Sequence, residues 1–144
     1  MSWKMRTSVV VLIGIVLIVV ATRGLLPFSS GHRVSSLVTL PASNEADANQ
    51  AEIRTATHLA LLQSPLVLNA AVRNIDAELL PNGLRSANDP VAWINPRLRV
   101  EQAGDGTAEV LISSDDGTRE QLQLLANSIV EAYSNEFASE FARQ

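Results

Sequence analysis

Between Arg6 and Arg23 lie sixteen consecutive residues without a charge, and Val9 to Ala21 is apolar throughout. No other segment constrains the fold so strongly, because a helix built from this run has no polar face to turn toward water. Lys4 and Arg6 stand directly before it, which is the layout of an export segment. Sixteen residues at helical rise span roughly 24 Å against a hydrocarbon core of about 30 Å. Snorkelling by Arg6 and Arg23, with Leu25, Leu26 and Phe28 prolonging the apolar stretch, makes up the difference. The expected structure is a retained transmembrane anchor with Val9, Leu12, Ile15, Leu17 and Val20 in the lipid. Two alternatives stay open: cleavage after Ala21, with Val19 and Ala21 at the minus-three and minus-one positions, or burial of the run in a globular core. Lys4, Arg6 and the terminal amine favour an amino end in the cytoplasm. That orientation implies a single-pass protein of the inner (cytoplasmic) membrane with the bulk of the chain extracytoplasmic.

The 121 residues beyond Arg23 suffice for one small domain and not for two catalytic ones. The expected divisions are a cytoplasmic start and anchor over 1–23, a connector over 24–32 containing Pro27, and an exported domain over 33–144. Residues 24–144 carry eight Arg and no Lys against fifteen Asp and Glu, a net of −7. Such a surface lacks the clustered cations that bind phosphate backbones, so nucleic acid is not an expected partner. Cysteine is absent, which removes disulfides, thiolate metal sites, a Cys nucleophile and a lipidated Cys.

Within the domain, Arg33 to Leu40 is strand-like and is stopped by Pro41. Asp47 with Gln50 predicts a helix start, and Ala51 to Gln63 places Ile53, Ala56, Ala60 and Leu61 at helical spacing. Ser64-Pro65 opens a second helix to about Ile75, with Leu66, Val67, Ala70, Ala71 and Ile75 as its apolar face. Pro81-Asn82-Gly83 predicts a turn in which Asn and Gly take positive φ. Asp89-Pro90 repeats the cap-plus-proline arrangement and begins a short helix that Pro96 closes. Leu98 to Gln102 and Ala108 to Ile112 read as strands of a hairpin across Gly104-Asp105-Gly106. Thr118 and Gln121 form a capping box, followed by a stripe of Leu122, Leu125, Ile129, Tyr133, Phe137 and Phe141 on a helix of about 25 residues. The predicted fold class is α+β: one N-terminal transmembrane helix, then a small antiparallel sheet with packed helices and a long C-terminal helix.

Motifs for chemistry are sparse. The chain has no phosphate-cradling G-x-x-x-x-G-K-[ST] and no G-x-S-x-G elbow. His32 and His58 lack a second ligand at i+4, and Asp115-Asp116-Gly117 is an incomplete calcium loop better read as an acidic helix start. These readings imply no catalytic residues, no cofactor, no metal and no enzyme activity. Four aromatics remain as a candidate interaction surface: Trp93, either a core anchor or a sugar-stacking ring, and Tyr133, Phe137 and Phe141, either core or a surface for another copy of the chain.

In order, the pieces resemble the bacterial polysaccharide co-polymerase (Wzz-type) chain-length determinants, including the membrane half of the tyrosine autokinases. The stretch Thr55-Ala56-Thr57-His58-Leu59-Ala60-Leu61-Leu62-Gln63-Ser64-Pro65-Leu66-Val67-Leu68-Asn69-Ala70-Ala71-Val72 is similar to the family's Thr, Leu-rich turn, Ser and Val-Leu pair leading into the next helix. Leu98-Arg99-Val100, Gly106-Thr107 and Leu111-Ile112-Ser113-Ser114 resemble its hairpin, and Ala126-Asn127-Ser128-Ile129-Val130-Glu131-Ala132-Tyr133 resembles the start of its rising helix. The likeness covers about residues 8 to 137 and concerns the membrane-proximal part. Family members normally continue into an extended helical hairpin and a second membrane helix. The resemblance implies an exported α+β domain that assists surface or exopolysaccharide biosynthesis or export by scaffolding, as a homo-oligomer or with polysaccharide-assembly proteins. The alternative is a secreted or tethered binding module for a small ligand or glycan.

Overall fold

A computed structural model describes residues 31–41, 48–104 and 106–141, with side chains through residue 137. These residues form an α+β domain in the order β1 (His32–Thr39), α1 (Ala48–Leu62), α2 (Pro65–Arg73), a 3-10 turn (Ala77–Leu79), α3 (Asn82–Ser86), α4 (Pro90–Ile94), a second 3-10 turn (Asn95–Arg97), β2 (Leu98–Gly104), β3 (Thr107–Ser114) and α5 (Arg119–Phe141). Val9, Leu12, Ile15, Leu17 and Val20 lie outside the described residues. Among those described, no helix is long and apolar enough to cross a membrane.

The sheet has three strands in the order β1-β3-β2, antiparallel throughout. Its hairpin turns through Gly106, whose φ of 69° is the left-handed conformation that favours glycine. One face carries Val34 and Val38 from β1, Ala108, Val110 and Ile112 from β3, and Leu98 from β2, all buried. Helix α5 lies along β1 and β3 and fills this face with Leu122, Leu125, Ala126 and Ile129, each with no exposed surface. Helix α2 packs against α5 through Val67, Leu68 and Ala71, and a buried Ser128 hydroxyl donates to the Ala71 carbonyl at 2.8 Å. Helix α1 is the least covered: only His58 and Leu62 of its fifteen residues are buried.

Three local expectations are met by named hydrogen bonds. Ser64 Oγ accepts from the Val67 amide, Asp89 Oδ1 accepts from the Val91 and Ala92 amides, and the Thr118/Gln121 box closes in both directions at 3.2 and 2.9 Å. Three expectations are corrected, the first being Leu66, which is 57% exposed and not on the buried face of α2. Ile53 is 66% exposed, and Ala56 and Ala60 are exposed as well, so the inward face of α1 is the His58–Leu62 side. The helix meets the domain through His58, which bonds Tyr133, and through Leu62, which has no exposed surface. Residues 82–86 are a short helix in place of a positive-φ turn. The Gly83 amide donates to Asp116 Oδ2 at 2.6 Å, a partner 33 residues away that no local rule contains.

Candidate functional site

Helices α1 and α5 meet through three rings. Tyr133 Oη and His58 Nδ1 share a 2.8 Å hydrogen bond, and the two rings stand edge to face at 6.0 Å. Phe137, one turn further along α5, lies 5.1 Å from the imidazole and stacks on Tyr133 at 6.1 Å. Tyr133 is 3% exposed and His58 6%, so this node is interior. Burial raises the Tyr133 phenol above its ordinary value. It therefore remains protonated at neutral pH and acts as a hydrogen-bonding hydroxyl, not as a phenolate base.

Beside this node the first half of α1 overhangs the hairpin end of the sheet. The cleft between them measures about 670 Å³ and is lined by Leu40, Glu52, Arg54, Thr55, His58 and Gln102, among others. Carboxylate, guanidinium, hydroxyl and amide groups share its wall with aliphatic surface. Neither the cleft nor the His58–Tyr133 pair was evident from sequence. The paired residues are 75 positions apart, and the only hint was that Tyr133 continues the stripe of α5.

The candidate aromatics are thus dispersed. Tyr133 belongs to the core, which removes it from an exposed surface, and Phe137 is half-buried against it. The Phe141 side chain lies outside the described residues. Trp93 sits elsewhere, on α4: the Arg97 guanidinium covers one ring face at 4.1 Å and also donates to the Trp93 carbonyl at 2.7 Å. The indole nitrogen is packed against Gly83, where an added Cβ would come within 2.7 Å of it. Trp93 therefore spends one face on a cation and one edge on a glycine, in a corner that ties α3 and α4 to the loop before α5. Among the described residues, no group of three or more His, Asp or Glu could hold a metal ion.

Among the described residues, no helix packs on the second face of the sheet. That face presents Arg33, Ser35, Leu37 and Thr39 from β1, Glu109, Leu111 and Ser113 from β3, and Arg99 and Glu101 from β2. Leu37 is 64% exposed, whereas Leu111 on the central strand is 7% exposed beneath its neighbours. No family model, curated protein or solved structure matches the chain.

Proposed function

We propose that this chain is a non-enzymatic, single-pass protein of the inner membrane whose exported α+β domain assists surface or exopolysaccharide biosynthesis or export through scaffolding and protein contacts. The observation that carries the proposal is the uncharged run between Arg6 and Arg23, set after Lys4 and Arg6 and before a domain of net negative charge. The resemblance to chain-length determinants supplies the polysaccharide role. A small antiparallel sheet backed by a long C-terminal helix is compatible with it. The mechanism is concentration: an anchor confines copies to the membrane plane, where contacts too weak for free solution become effective. Deleting the coding region in the source organism and sizing its surface polysaccharide tests this. The expected result is an altered amount or length distribution, restored by the intact chain and not by one with Leu12, Ile15 and Leu17 changed to Asp. Unchanged polysaccharide would sink the proposal.

A second reading, a tethered binding module for a small ligand or glycan, draws on the cleft under α1. Calorimetric titration of the full chain with neutral oligosaccharides tests it. Saturable binding that Glu52→Ala and Gln102→Ala each weaken supports the reading, and no heat with any of them removes it.

A further inference from the structure

The open face of the sheet carries its charges in an order that the strand register fixes. One cross-strand row is Ser35–Leu111–Arg99 and the next is Leu37–Glu109–Glu101, with Arg33 beyond the first row. The cations thus occupy one end of the strands and the anions the other, with exposed Leu37 in the anionic row. Arg99 and Glu101 lie two residues apart on β2, and among the described residues no ion pair joins them.

From this pattern we infer that the face is the self-association surface for a second copy of the chain, seated face to face with its strands antiparallel. A two-fold axis running across the strands, between the two rows, sets Arg99 over Glu101 of the second copy and Glu101 over its Arg99. The same rotation lays Leu37 beside the small Ser35 of the second copy, so the exposed leucine meets a position with room for it. A two-fold contact requires this self-complementarity, and a face of one sign would repel its own image. Three strands of about eight residues offer roughly 400 Å² of face per copy. A stable interface covers about 800 Å² per partner. The pairing is consequently weak in free solution and depends on confinement by the anchor. The inference rests on the scaffolding reading and names the surface through which it works.

The test uses the full chain reconstituted in lipid vesicles, where copies share a membrane plane, with the dimer fraction read by energy transfer between fluorescently labelled copies. The wild type is expected to show a monomer–dimer equilibrium whose dimer fraction falls as salt rises from about 50 mM to about 500 mM. Arg99→Glu and Glu101→Arg each place like charges across the axis at two symmetric points, so each alone is expected to weaken dimerisation about tenfold or more. An equimolar mixture of the two variants sets opposite charges together at both points and is expected to regain the wild-type dimer fraction as a heterodimer. All altered side chains are exposed, and recovery in the mixture shows that both variants are folded. Single variants that dimerise like the wild type, or a mixture no better than its components, would overturn the inference, as would a wild type that stays monomeric at low salt. The scaffolding reading fails separately: a chain that passes this test but whose deletion leaves surface polysaccharide unchanged has the interface without the function.

Discussion

Tyr133 is the only tyrosine in the chain, which makes its environment directly measurable. Its hydroxyl has no open water to ionise into, and the tyrosinate would lie beside the face of Phe137 and the imidazole of His58. The raised phenol pKa means that the folded state holds its proton more tightly than the unfolded state does. Stability from this residue is therefore fully present below about pH 10, the unfolded value, and is lost as pH rises through the higher folded value. A spectrophotometric titration should give one tyrosinate transition, displaced upward in the native protein and returning to the ordinary range in urea. Coincident native and denatured midpoints would show that the ring is solvated. Tyr133→Phe retains the ring contacts but removes the partner of His58 Nδ1, at an expected cost of about 1 to 3 kcal/mol at neutral pH. Denaturant midpoints for the two proteins should converge at strongly alkaline pH, where the wild type has also lost its neutral hydroxyl. The residue types at positions 58 and 133 carry no trace of this bond in sequence, since a histidine amid threonines and leucines is compatible with an exposed or a buried position. Only the neighbouring chain decides.

The helices divide according to whether their determinants are local. The starts of α2, α4 and α5 were legible because a cap acts within three residues: Ser64, Asp89 and Thr118 each bond an amide of their own first turn. Gln121 does more than close its box, since its Nε2 also donates to the Leu80 carbonyl at 3.2 Å and so pins α5 to the segment before α3. Thr118→Ala should cost about 1 kcal/mol. Gln121→Ala should cost measurably more because a tertiary bond goes with the local one, and equal midpoints in chemical denaturation would refute that ordering. Helix α1 shows where pattern alone misleads. Ile53, Ala56 and Ala60 have the spacing of a buried face, yet fifteen residues of good helix formers would be helical whichever side turned inward. Its orientation is set instead by Leu62, which has no exposed surface, and by His58 one turn earlier. Leu62→Ala should cost about 2 to 5 kcal/mol, whereas Ile53→Ser should stay within about 0.5 kcal/mol of wild type. A large loss from Ile53→Ser would put the expected face inward after all.

For the whole molecule, the α+β class was legible because the hairpin and the capped C-terminal helix identify themselves, and their joint burial leaves one sheet face covered and one open. The side chains of the open face were legible only as polar alternation in the strands. Their arrangement into cations at one end and anions at the other required the register of β1 on β3 and of β2 on β3, which no single strand encodes. In the proposed arrangement this face depends on an anchor in the first thirty residues, because a patch of this size holds copies together only when they share a membrane plane. The proposed role in export further requires the domain to lie on the far side of the bilayer, and the absence of cysteine makes that question direct. A single introduced cysteine is the chain's sole thiol, so a membrane-impermeant maleimide reports on one position at a time. Ala60→Cys, on the exposed side of α1, should be labelled in intact spheroplasts, while Ser2→Cys should react only after the membrane is opened. In the proposed topology Lys4 and Arg6 set that polarity, since moving their charges across the bilayer against the potential is unfavourable. Replacing both with Glu should therefore reduce labelling of Ala60→Cys in intact spheroplasts. Protection of Ala60→Cys until lysis in the otherwise unaltered chain would place the domain in the cytoplasm and separate it from any exported polymer, whatever its sheet face does.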